Sequence, residues 1–104
     1  MTELKLPSIS STESHVLELL QGDERYGLEL VEASGGRLKR GTVYVTLGRM
    51  ERKGFVASRQ EAQSPGAIGL PRRLYKATAY GSKVLEAYQL LREALALRPS
   101  EARG

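Results

Sequence analysis

Between Leu38 and Ala57 the sequence LKRGTVYVTLGRMERKGFVA gathers hydroxyl and cationic side chains at a spacing suited to gripping an anionic polymer. Lys39 and Arg40 precede Gly41 and Thr42, and from there the residues separate onto two faces at the 3.6-residue period of a helix. Val43, Leu47 and Met50 make the apolar face. Thr42, Val45, Thr46, Arg49, Arg52 and Lys53 make the other. Small, hydroxyl and cationic groups suit a helix lying in a DNA major groove with its N-terminal turn against base edges. Lys39 and Arg40, just before the helix, suit clamping of backbone phosphates, as does Arg49, and the hydroxyls of Thr42 and Tyr44 can donate to phosphates. Tyr44 lies at the edge between the faces, where a half-buried structural ring is the competing reading. Gly48 costs the helix about 1 kcal/mol against alanine, and a close approach of the preceding helix would account for it. Gly54 ends the segment.

Charge along the chain supports the same chemistry more strongly than the formal net charge of +4 does. Residues 1–36 hold two Lys/Arg and seven Asp/Glu (net −5), residues 37–83 hold eleven against two (net +9), and residues 84–104 hold three of each. A basic block beside an acidic one is the electrostatic footprint of a polyanion-binding surface with one preferred orientation; the bland alternative is a solvated basic face. Catalytic chemistry finds no constellation. His15 is the only histidine and cysteine is absent, which removes thiolate ligands and nucleophiles. Glu29 and Glu32 lie on a polar helix face without converging, and Gly66 and Gly69 lack the strand-to-helix context of a phosphate-binding loop. No catalytic residue, no metal ligand and no cofactor is expected, and the chain reads as no enzyme.

A chain of 104 residues has room for one core. Residues 1–10 read as a flexible lead. Ser10 followed by Glu13 fits a capping box, so a first helix runs from Ser11 to about Gln21 and buries Val16, Leu17 and Leu20. Asp23 can cap a second helix through RYGLELVEAS, with Leu30 and Val31 inward and Gly35-Gly36 as its stop. The basic segment, 41–53, is the third helix of a helix-turn-helix order. Beyond Gly54 the period changes to two: 55–60 and 72–77 read as strands of a hairpin wing, with a mobile loop over 61–71. Arg72 and Arg73, with Arg59 on the facing strand, place cations on that wing, whose usual targets are the minor groove and adjacent phosphates. Thr78 caps a final helix to about residue 98, followed by a flexible tail over 99–104. Its seam Val84, Tyr88, Leu91 and Leu95 repeats at coiled-coil spacing, and a second row including Tyr80 and Leu85 widens the apolar surface beyond what so small a domain can cover. The expected architecture is mainly α with a small β-hairpin: a winged helix-turn-helix domain over 11–77 and a long C-terminal dimerisation helix over 78–98. A twofold dimer reading double-stranded DNA calls for an inverted-repeat operator. The competing class is a winged-helix module that uses the same basic surface to bind an acidic protein partner. No apolar run approaches the roughly 18 residues of a membrane span, and the N-terminus lacks a secretory signal pattern, so no membrane partner and a cytoplasmic location are expected.

Three spaced segments resemble the PadR family of bacterial transcriptional regulators. YGLEL at Tyr26 to Leu30 is similar to the family's Tyr-Gly-x-x-Leu. GTVYVTLGRMERKGFV at Gly41 to Val56 resembles its Gly-Thr-Leu-Tyr-Pro-x-Leu-x-Arg-Leu-Glu-x-x-Gly-Leu segment, and PRRLYKATAYGSKVL at Pro71 to Leu85 its Arg-x-Tyr-x-Leu-Thr-x-x-Gly-x-x-x-Leu junction. The resemblance implies a repressor of the short subfamily, with one C-terminal helix pairing with its twin. It departs at Val45, where many members carry proline, and at Ala77, where leucine is usual. The tryptophan that a drug-binding member of that subfamily uses to sandwich flat ligands is missing, and any small-molecule effector stays unnamed.

Overall fold

The computed structural model describes residues 6–62, 66, 69 and 72–97. Among these residues, four helices and a three-stranded antiparallel sheet follow one another as α1 (Ser11–Leu19), β1 (Arg25–Tyr26), α2 (Gly27–Ala33), α3 (Val43–Arg52), β2 (Val56–Gln60), β3 (Arg73–Ala77) and α4 (Ala79–Ala96). The expected capping box starts α1: Glu13 N donates to Ser10 Oγ at 3.0 Å and Ser10 N to Glu13 Oε1 at 2.8 Å, satisfying two amides that the first turn leaves without helical partners. Gly35 and Gly36 take φ of 62° and 95° beyond α2, and Gly54 takes 82° beyond α3; these left-handed stops are where a Cβ would be strained. Residues 1–5 of the lead expected over 1–10, the tail expected over 99–104 and most of the 61–71 loop lie outside the described residues.

The start of α2 departs from expectation. Asp23 does not cap it. Arg25 and Tyr26 first pair with Tyr75 and Leu74 of β3, giving the sheet order β1-β3-β2, and Glu29 then accepts from Tyr26 N at 2.8 Å. Arg25 also closes the preceding helix, its Nε donating to Leu19 O at 2.9 Å. A two-residue strand has no period of its own to read; its partner is nearly fifty residues away.

Val16, Leu17 and Leu20 of α1, Leu30 of α2, Leu38, Val43, Leu47 and Met50 around α3, Phe55, Val56 and Tyr75 of the sheet region, and Val84 and Leu85 of α4 make one continuous core. The single Phe sits where it joins α3, the sheet and α4. Thr78 caps α4 and pins it there: its Oγ1 accepts from Gly81 N at 2.9 Å and donates to Gly54 O at 2.6 Å, while Thr78 N donates to Phe55 O at 3.0 Å. A Cβ at Gly81 would lie 2.1 Å from Phe55 O, so α4 and the start of the wing touch backbone to backbone.

Candidate nucleic-acid interface

The turn into α3 is built on a buried serine. Ser34, 5% exposed, donates its hydroxyl to Val31 O at 2.7 Å and accepts from Leu38 N at 3.0 Å. That anchors Leu38 in the core and throws Lys39, Arg40, Gly41 and Thr42 onto the surface. Thr42 N and Val43 N both donate to Lys39 O, at 3.1 and 2.9 Å, which folds the four residues into a tight turn leading into the helix. Two cations therefore stand beside the N-terminal end of α3, where the helix dipole adds to their positive field.

Along α3 the inward face is Val43, Thr46, Leu47 and Met50. Thr46 was expected on the outward face; it is 9% exposed, because the inward stripe is wide enough to take a small β-branched residue beside Leu47. Tyr44 at 50% and Val45 at 61% exposure face out, with Arg49 and Arg52. Val45, Arg49 and Arg52 stand one behind another at i, i+4 and i+7, and Arg52 joins the exposed cations of the site through that period. Lys53 leaves them. Its Nζ turns inward to both Glu13 carboxylate oxygens at 3.0 Å and to Ser8 O at 3.1 Å. Nor does α2 crowd Gly48: a Cβ there would meet nothing nearer than Arg52 Nη1 at 3.7 Å. The close approach lies instead at Gly27, where a Cβ would come within 2.6 Å of the Tyr44 ring. Tyr44 thus rests its ring against the start of α2 while remaining half exposed.

The wing cations divide between the two faces of the sheet. β2 and β3 pair in the register Val56↔Ala77 to Gln60↔Arg73, and directly opposed residues share a face. Arg59 opposes Leu74 and grips Glu24 with two hydrogen bonds of 2.9 and 3.1 Å; the Glu24 side-chain contact raises the guanidinium's pKa further and lowers that of Glu24. Arg73 is on the other face, donating to Ser58 Oγ at 3.0 Å, and Ser58 donates in turn to the Glu51 carboxylate on α3. Arg72 stacks over the Tyr26 ring at 4.9 Å, and the Tyr26 hydroxyl donates to Glu61, whose carboxylate pushes the phenol's pKa up. Sequence placed all three arginines on the wing, but Glu24, which holds Arg59, and Tyr26, over which Arg72 stacks, come from a distant segment. Tyr26, Leu28, Tyr44, Arg72, Arg73 and Tyr75 line a groove of about 590 Å³ running from the start of α2 past α3 to the wing.

The long helix divides as well. Val84 and Leu85, expected at a chain–chain seam, are 6% and 3% exposed in the domain's own core, because Gly81 brings the first turns of α4 down on Phe55. Tyr88 is half-buried and donates to Pro7 O at 2.6 Å. Tyr80 is 51% exposed with its ring 5.8 Å from Phe55. Beyond them the apolar residues have no cover: Leu90, Leu91, Leu95 and Leu97 are between 41% and 71% exposed.

A helix-turn-helix whose outward third helix stands beside a hairpin defines the winged helix-turn-helix class. The Transcriptional regulator PadR-like family matches residues 16–87, and this chain belongs to it. A PadR family transcription regulator from hypervirulent Clostridium difficile R20291 is similar over 91% of this chain and 100% of its own, at 26% identity and a TM-score of 0.73. A PadR family regulator from Eggerthella lenta DSM 2243 is 27% identical over 80% of this chain and 72% of its own, with a TM-score of 0.67. Bacillus subtilis PadR, solved in complex with operator DNA, shares the fold at 22% identity and a TM-score of 0.63, over 73% of this chain and 45% of that one. A search of curated proteins finds no match. Among the described residues no helix is long and apolar enough to cross a membrane, and no group of three or more His, Cys, Asp or Glu could hold a metal.

Proposed function

We propose that this chain is a dimeric, sequence-specific DNA-binding repressor that reads an inverted-repeat operator, with α3 in the major groove and the wing against the adjacent backbone. The observation that carries it is the outward face of α3. Arg49 and Arg52 stand in line with Val45, and Lys39, Arg40 and Thr42 crowd its N-terminal end, with none of them buried. In this reading Lys39, Arg40 and Arg49 hold phosphates, Gly41 lets the strand pass close, and Thr42, Val45 and the Tyr44 hydroxyl face base edges or the phosphates beside them. Arg72 and Arg73 extend the contact from the wing. Arg59, tied to Glu24, fixes the wing's shape and contributes least. Thr46 supports the helix from beneath. That Bacillus subtilis PadR was captured on operator DNA agrees with this use of the fold. The dimer interface is the distal half of α4, around Leu91 and Leu95, with Tyr88 at its inner edge.

The direct test is selection of bound duplexes from a random pool, followed by titration of selected and random duplex at two salt concentrations. Affinity should fall with salt at a log–log slope of about −0.9 per phosphate neutralised, and selected duplex should bind more tightly than random. Absence of binding at low salt overturns the reading. The acidic-partner module would then take its place, favoured by the exposed Leu28 and Tyr44 beside the cations.

A further inference from the structure

Glycines inside α2, α3 and α4 have different reasons to be there. At Gly27 and Gly81 a Cβ would strike the Tyr44 ring and the Phe55 carbonyl, at 2.6 and 2.1 Å. At Gly48 it would meet only the Arg52 guanidinium, at an ordinary 3.7 Å, and Gly48 is not among the glycines with positive φ. Folding therefore does not ask for glycine at this position, and helix propensity argues against it. What it does is leave a gap in the outward face of α3. The gap adjoins Val45, three residues earlier and so its neighbour on the helix surface. Arg49 follows it in sequence and Arg52 stands one turn on. A β-branched apolar side chain beside the partly exposed backbone of Gly48, with the Arg52 guanidinium at its edge, makes a shallow apolar notch bordered by two cations.

We propose that Val45 and Gly48 together form a specificity notch that receives the C5-methyl group of a thymine, so that this pair, more than the arginines, selects the base at one operator position. The inference rests on the DNA-binding reading above and deepens it. Of the groups that base pairs display in the major groove, the thymine methyl is the one that is apolar and projects toward the protein. A side chain at residue 48 would occupy its place. Arg49 and Arg52 would meanwhile hold the flanking phosphates, which every sequence provides. The stability forgone by placing glycine in mid-helix is the kind of local cost that functional surfaces retain.

The test uses the full chain, a duplex selected by it from a random pool, and a random-sequence duplex of equal length. Each thymine of the selected duplex is replaced singly by deoxyuridine, which removes only the methyl group. At one or more positions this should weaken wild-type binding about fourfold, the worth of one buried carbon. Gly48→Ala should raise the melting temperature by a few degrees, as expected for an unhindered helix position, and still weaken binding to the selected duplex. Gly48→Leu should weaken it by about tenfold or more, corresponding to at least one misfitted base pair, and should abolish the sensitivity to deoxyuridine. Binding of both variants to random duplex should stay near wild type, because the phosphate contacts remain. The notch is overturned if no thymine is sensitive, if Gly48→Leu binds the selected duplex as tightly as wild type, or if both duplexes lose affinity equally. A wild type that binds no duplex at low salt overturns the DNA-binding reading and the notch with it; in the three other cases that reading survives.

Discussion

Glu13 is 1% exposed, and a buried carboxylate persists only where its charge is answered. Burial pushes its pKa up, but the Ser10 amide, the Lys53 ammonium and the Ser10 hydroxyl together outweigh burial and hold it below the ordinary value of a glutamate. The sign follows. A depressed carboxylate pKa stabilises the fold above the unfolded-state value, and that stability is lost as pH falls from about 4.5 through the lower folded-state value. Melting temperatures measured between pH 7 and pH 3 should therefore drop at the acid end, and Glu13→Gln should remove its share of the slope while lowering stability at neutral pH. Lys53→Met should be the harsher change, about 3 kcal/mol at the low end of the range for orphaning a buried charge because Lys53 itself stays partly open; urea melts at pH 7 give the figure. An effect below about 0.5 kcal/mol would class the pair with surface ion pairs. The sequence showed Glu13 as half of a capping box and Lys53 as one more cation of α3. Their pairing joins residues forty apart, and local spacing carries no signal for that.

At the scale of elements, α3 and the wing are held in place by small residues. Thr78 and Gly81 tie α4 to the carbonyl of Phe55, the junction from which β2 departs. Gly81→Ala would drive a Cβ into that carbonyl, with backbone rather than a flexible side chain as the obstacle. The expected cost is about 1–3 kcal/mol, the usual range for overpacking, and the DNA affinity of the remaining folded protein should fall too, since the wing must shift against α3. A calorimetric melt with no change would mean that α4 moves freely. Helices α1, α3 and α4 were legible because a 3.6-residue period coincides with a cap in α1 and α4 and with a glycine stop in α3, and the hairpin was legible from its change to a period of two. What escaped was set by tertiary pairing. β1 displaced the Asp23 cap because Arg25 and Tyr26 find partners on β3. Thr46 went inward because the core beneath α3 takes more of the helix circumference than its apolar residues mark. On the wing, alternation alone could have separated Arg59 from Arg73 only with the register known, since a shift of one residue exchanges the faces.

For the whole molecule, α4 gives its first half to its own domain and leaves the second half bare. The seam read from sequence is thus divided, with Val84 in the core beside Leu85, and Leu91 and Leu95 exposed. Leu95→Glu, at a site 71% exposed, should yield a folded monomer in sedimentation, whereas Val84→Glu should yield an unfolded chain. A wild type already monomeric at tens of micromolar, the range of weak association, would remove the dimer. If the dimer holds, its two copies of α3 are related by a twofold axis, and the operator must repeat that symmetry with half-site centres about one or two helical turns apart. One α3 offers few groups to bases, so a single half-site should bind weakly, and the second domain adds affinity by being tethered near its own site. That gain depends on phase. Inserting five base pairs between half-sites turns one of them by about half a turn, so the two domains can no longer dock together without twisting the DNA or bending α4. Affinity should then fall nearly to that of an isolated half-site, and a ten-base-pair insertion should restore part of it. Equal binding at every spacing would mean that the domains read DNA independently, and a dimer through α4 would then hold them together without fixing the distance between their recognition helices.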